Sequence, residues 1–99
     1  KGADMIYTIE QIKDKCWKVF DKQNFIKEAY LFGSYARGEA TEKSDIDFMI
    51  VLNRTVGLEF FGLYHFLQEG FGKNVDVISE KEAYGIMPKS IEKDKVKVY

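Results

Sequence analysis

Residues 32–48 read FGSYARGEATEKSDIDF, in which Gly33-Ser34 is followed after ten residues by Asp45 and Asp47 at i, i+2. From average residue usage this combination arises by accident in so short a chain with odds on the order of one in a thousand, so it calls for a reason. On a strand, alternate side chains share a face, which sets Asp45 and Asp47 side by side with Cα atoms roughly 6.5 Å apart. Two carboxylates so placed repel each other unless a cation joins them. A glycine beside them lets backbone N–H groups come close to an anion.

Outward from this stretch, Phe25 to Phe32 is apolar and aromatic and predicts a first strand ending at Gly33. Asp45 to Leu52, DIDFMIVL, predicts a second strand, apolar on both faces after its acidic start and therefore central. Thr8 to Lys22 carries Ile9, Ile12, Cys16, Val19 and Phe20 at helical spacing behind a Thr8/Gln11 capping box. Thr55 to Glu69 returns to that period with Val56, Phe60, Leu63, Tyr64 and Leu67 on one face and Gly70 as its stop. VDVI at 75–78 predicts a third strand. Ser79 and Glu82 then cap a short helix ended by Gly85, and Pro88 opens a last one. The charged tail from Lys93 to Tyr99 fits a helix end or a short edge strand.

The helix between strands two and three has the length of a crossover and favours a parallel pair, which brings Asp76 level with Asp45 and Asp47. The ten-residue connection between strands one and two suits an antiparallel pair, which sets Gly33 and Ser34 beside them. The expected fold is thus α/β (α+β), a small mixed sheet of three to four strands flanked by helices. Three carboxylates without His or Cys call for Mg²⁺ or Mn²⁺, and the Gly-Ser turn for a phosphate. His65, alone on the less apolar face of its helix, makes neither a metal cluster nor a triad.

Ninety-nine residues make one domain, read as 5–99; the four residues KGAD before Met5 read as a scar left by expression. The net charge is -1, and only two arginines, Arg37 and Arg54, stand beside the lysines, so nucleic acid is not the expected main partner. A single cysteine excludes an internal disulfide, and Cys16 reads as a buried apolar filler. No run approaches the roughly 20 apolar residues of a membrane span, and the expected compartment is the cytoplasm. Trp17 reads as a core-edge residue, whereas Leu58 and Phe61 lie off the main stripe of their helix with His65.

GSYARGEATEKSDIDF, with Asp76 in VDVIS downstream, resembles the nucleotidyltransferase motif of the polymerase beta superfamily. Ala-Arg-Gly after Gly-Ser and the short chain are similar to the minimal nucleotidyltransferases, the MNT antitoxins paired with HEPN toxins. The resemblance implies a polymerase-beta-like fold in which Gly33 and Ser34 hold the triphosphate of ATP and Arg37 steadies a phosphate or the leaving pyrophosphate. It implies that Asp45 and Asp47 ligate two Mg²⁺ ions, that Asp76 ligates the catalytic one, and that AMP passes to a tyrosine of a HEPN partner. Singly, each residue has an ordinary reading as strand end, turn or surface cation; their joint spacing favours an active site. Two other functions fit the chain: an antitoxin or adaptor that neutralises its partner by occlusion, and nucleotide transfer to a small molecule.

Overall fold

The computed structural model describes residues 5–99; the reading of KGAD falls outside them. Along the chain run α1 (Ile9–Phe20), β1 (Ile26–Phe32), α2 (Gly33–Arg37), β2 (Ile46–Leu52), α3 (Glu59–Phe71), β3 (Val75–Ser79), α4 (Glu80–Ile86), α5 (Pro88–Asp94) and β4 (Val96–Lys97). The four strands form one mixed sheet in the order β3-β2-β1-β4, with β2 parallel to β3 and β1 antiparallel to both β2 and β4. Crossover length and loop length thus select the pairings expected of them, and the C-terminal tail resolves as an edge strand.

Strand alternation divides the sheet into two unequal faces. Ile46, Phe48 and Ile50 of β2 join Ala29 and Leu31 of β1, Val75 of β3 and the buried stripes of α1 and α3 in the larger core. Met49 and Phe32 point the other way, into a small core with Ala83 of α4 and Ile91 of α5. Phe48, Met49 and Ile50 are all fully buried, as a central strand covered on both sides requires. By the same alternation Asp47 shares the side of Met49, the thinner one.

Both capping boxes form: Thr8 Oγ1 accepts from the Gln11 amide at 3.1 Å, and Ser79 Oγ from that of Glu82 at 3.2 Å. Pro88 is at the start of α5, as read. The other helix limits differ from the sequence reading. The helix expected from Thr55 begins at Glu59, because Glu59 folds back on the preceding segment, accepting from Arg54 Nη2 at 3.0 Å and from the Gly57 amide. Its expected stop at Gly70 is overrun. Gly72, at φ +67°, supplies the left-handed cap, and the two added residues include the buried Phe71, while Tyr64 stays 40% exposed. Gly85 likewise lies inside α4, which ends at Met87 because that residue precedes Pro88 and is driven out of helical geometry. The connection read as a turn holds a five-residue helix, α2.

Phe71 ties this frame together. Its ring packs edge-on to Tyr7 at 5.2 Å between centroids and against Phe48 at 5.8 Å, and its carbonyl accepts the Tyr7 hydroxyl at 2.5 Å. Trp17 sits at the margin, 55% exposed, its ring tilted against that of Tyr99 at 4.6 Å between centroids. Phe71→Ala removes a fully buried ring and is expected to cost about 3–5 kcal/mol in denaturant unfolding, whereas Trp17→Ala at the half-exposed edge costs well under half of that. Equal losses in the two variants would contradict this account of the core.

Candidate active site

β2 begins at Ile46, so Asp47 is its second residue and Asp45 lies one position ahead of the strand, exposed. Asp76 is the second residue of β3. In the ladder Phe32 of β1 pairs with Asp47, and Asp47 pairs with Asp76. Gly33 follows Phe32 directly. One row across the sheet therefore carries the end of β1, the Asp47 carboxyl and the Asp76 carboxyl, with Asp45 beside it.

Gly33 enters α2 at φ +72°, and a Cβ built on it would lie 2.1 Å from Asp47 Oδ2. Both conditions require glycine: a backbone conformation that L side chains rarely adopt, and a carboxylate in the space a side chain would fill. Ser34 is half-buried in the first turn of α2, where backbone N–H groups have no helical acceptor of their own. Tyr35 is buried behind it. Arg37 closes the helix and is held by carboxylates on two sides, its Nε donating to Glu39 Oε1 at 3.0 Å and its Nη1 reaching Asp94 Oδ2 at 3.5 Å.

The electrostatics follow from this crowding. Burial pushes the Asp47 carboxyl up to about 7, helped by the hydrogen bond that its protonated form donates to the Asp76 carboxylate and by repulsion from Asp76 and Asp45, with Arg37 opposing. Two acids drawn together in this way take up a proton where a cation would otherwise stand. The donor set of hard oxygens fits Mg²⁺ or Mn²⁺, and the missing side chain at Gly33 lets the Asp47 carboxylate lie against the start of α2. Among the described residues no three His, Cys, Asp or Glu side chains are grouped closely enough to hold a metal ion, so the expected cluster of Asp45, Asp47 and Asp76 reduces to the ladder pair Asp47 and Asp76, with Asp45 exposed ahead of the strand. A separate cleft between Arg54–Val56 and Ser79–Lys81 opens elsewhere and contains none of these residues.

The structure thus brings Gly33, Asp47 and Asp76 together, with Ser34 next to Gly33 and Asp45 just outside the strand. Glu39 and Asp94, the partners of Arg37, were not singled out from sequence. Glu39 lies two residues from Arg37 and its charge was a usable signal; Asp94 arrives only through the docking of α5.

A protein-family model described as a nucleotidyltransferase domain matches residues 9–98, and the chain belongs to that family of enzymes. Among its relatives is a protein of Methanocaldococcus jannaschii, provisionally named a protein adenylyltransferase, that is 38% identical over 94 residues, spanning 91% of this chain and 94% of the relative. The protein adenylyltransferase MntA of Thermococcus cleftensis is 31% identical over 74 residues, 74% of this chain and 75% of its own. In fold the chain is similar to a toxin-antitoxin complex crystallised with AMP-PNP, at TM-score 0.75 and 22% identity over 88% of this chain and 72% of that one. It is also similar to a chain of the complex of a tri-AMPylated Shewanella oneidensis HEPN toxin with its MNT antitoxin, at TM-score 0.71 and 19% identity over 93% and 72%.

The raised Asp47 carboxyl sets the sign of a pH effect. The unfolded chain ionises Asp47 freely near 3.8, whereas the folded chain keeps the proton until about 7, so this stabilising contribution is complete below about pH 4 and is lost as pH rises to about 7. In metal-free protein, Asp47→Asn is therefore expected to melt above the wild type at pH 7.5, with the difference shrinking toward pH 4. Melting curves across this range check it. A variant less stable than the wild type at pH 7.5 would contradict the crowded-acid account.

Proposed function

We propose that this chain transfers AMP from Mg-ATP to a tyrosine hydroxyl of a HEPN-type toxin in the cytoplasm, and so acts as its antitoxin. The observation that carries the reading is the row of Gly33, Asp47 and Asp76, in which a glycine makes room for one member of a pair of acids short of a cation, at the start of α2. The naming of its relatives as protein adenylyltransferases, and the HEPN–MNT complexes that share its fold, support the acceptor and the partner. No helix of the described chain is long and apolar enough to cross a membrane.

In this reading the backbone amides of Gly33 and Ser34 and the Ser34 hydroxyl bind the triphosphate, and Arg37, released from Glu39 or Asp94, steadies the β- and γ-phosphates. Asp45 and Asp47 would hold two Mg²⁺ ions, with Asp76 completing the site of the one nearer the acceptor. Bound there, the ions supply charge neutralisation for the α-phosphate and lower the pKa of the acceptor hydroxyl. The acceptor oxygen attacks the α-phosphorus in line, the bond to the bridging oxygen of the β-phosphate breaks, and pyrophosphate departs beside Arg37. The proton of the hydroxyl passes to Asp76, the more exposed member of the acidic pair, and on to solvent.

A second reading has one observation behind it. Leu58 and Phe61 are 83% and 71% exposed, as expected of residues off the stripe of α3, and such a surface suits neutralisation by occlusion. Incubation with the HEPN partner, Mg²⁺ and ATP labelled at the α-phosphate separates the two. Label in the partner is expected; stoichiometric inhibition without nucleotide and without label would favour occlusion. Asp76→Asn is expected to bind Mg-ATP but to transfer AMP at least about a hundredfold more slowly, because charge stabilisation is lost in the transition state. Transfer at the wild-type rate would put Asp76 outside the chemistry.

A further inference from the structure

Lys73 lies between α3 and β3, directly after the left-handed cap at Gly72 and three residues before Asp76. Its ammonium has three N–H donors and places all of them on other segments: the Tyr35 hydroxyl at 3.1 Å, the Met5 carbonyl at 3.1 Å and the Glu42 carbonyl at 3.2 Å. It also stands 5.5 Å from the centroid of the Tyr35 ring. A solvated lysine does not give up its rotamer freedom for two carbonyls and a phenol, none of which carries a charge.

Two of these partners, Tyr35 and Glu42, stand on segments that carry the site, and the third, Met5, lies ahead of α1. Tyr35 is buried and follows Ser34 on α2. Glu42 lies in the turn that ends at Asp45, a turn closed by the Ser44 amide donating to the Thr41 carbonyl at 3.0 Å and the Thr41 amide to Ser44 Oγ at 2.8 Å. The turn meets the start of β3 once more where the Ile46 amide donates to the Asn74 carbonyl at 3.2 Å. To that backbone bond and the ladder of β2 with β3, Lys73 adds side-chain ties from the start of β3 to the Glu42 carbonyl of the turn and to Tyr35, next to Ser34 on α2.

We propose that Lys73 is a positioning residue that holds the Ser34 helix and the Asp45 turn against the start of the Asp76 strand, and so sets how readily the site takes its divalent ion. The proposal rests on the nucleotide-transfer reading only for what the alignment serves. Lys73→Met keeps the aliphatic stem and removes all three donors. Lys73→Arg keeps the charge and several donors, and Tyr35→Phe removes one acceptor alone.

Two measurements test it: amide hydrogen exchange across residues 41–46 in metal-free protein, and the Mg²⁺ concentration giving half-maximal AMP transfer. In Lys73→Met, exchange in 41–46 should rise about tenfold or more while the β1–β2 ladder is unchanged, since only a local opening becomes easier. The Mg²⁺ requirement should rise several-fold. Lys73→Arg should restore most of both, and Tyr35→Phe should move both the same way by a smaller factor. Unchanged exchange in 41–46, or a rise spread evenly over the whole chain, would overturn the proposal. If Lys73→Met does not fold, Tyr35→Phe decides by the same exchange measurement. Should the wild type transfer no AMP, the functional reading fails, while hydrogen exchange still judges Lys73.

Discussion

The structure depends on one close approach. Asp47, on the central strand, has Asp76 as its ladder partner on one side and the backbone of Gly33 on the other, so near that a single methyl group would collide with its carboxylate. In the metal-free protein such an arrangement works against stability: it buries an acid next to another acid and lifts its proton affinity by desolvation and repulsion. A fold that keeps two acids together has reason to do so only if something positively charged arrives, and the row of the sheet that holds them also holds the glycine whose missing side chain makes room for one of them. Local destabilisation of this kind is the usual mark of a functional site.

The rest of the molecule makes that approach tolerable. The larger core, with Phe20, Phe48 and Phe71 meeting between the sheet and the helices α1 and α3, fixes β1, β2 and β3 in register. The thinner face is covered only by the short helices α4 and α5, and there the acids open to solvent at the strand starts. Rigidity on one face and access on the other both follow from the two-residue period of β2: Phe48 anchors the strand while Asp47, its neighbour, serves the opposite side. α5 also returns Asp94 to Arg37, so the thin layer supplies a counter-charge to the cation assigned to phosphate.

Much of this was legible in the residues. The period of DIDFMIVL, the crossover length of the segment after it and the spacing of Gly33-Ser34 to the acids are enough for the strand directions at the site and for Asp76 level with Asp45 and Asp47; that Asp47 is its ladder partner is set by the register. Both capping boxes were legible because they are local, each made within four residues. The two misplaced helix ends share one cause, that glycine has two roles. Gly70 and Gly85 were read as stops, yet the chain stays helical through both because burying Phe71 and the constraint of Pro88 decide where those helices end. α2 was missed since five residues show no period. Tyr64 was placed in the core by spacing alone, although the true stripe of α3 runs Leu63, Leu67, Phe71. Asp94 beside Arg37 and Lys73 across three segments belong to tertiary docking, for which sequence offers no periodic signal.

Diffraction from crystals grown with Mn²⁺ and a non-hydrolysable ATP analogue tests the central claim most directly, because the anomalous signal locates the metal without reference to any model of the chemistry. The account predicts a manganese peak at the carboxylates of Asp47 and Asp76, joined by oxygens of a triphosphate lying over Gly33 and Ser34. Manganese absent from those carboxylates, or a triphosphate seated in the cleft between Arg54 and Lys81, would contradict it.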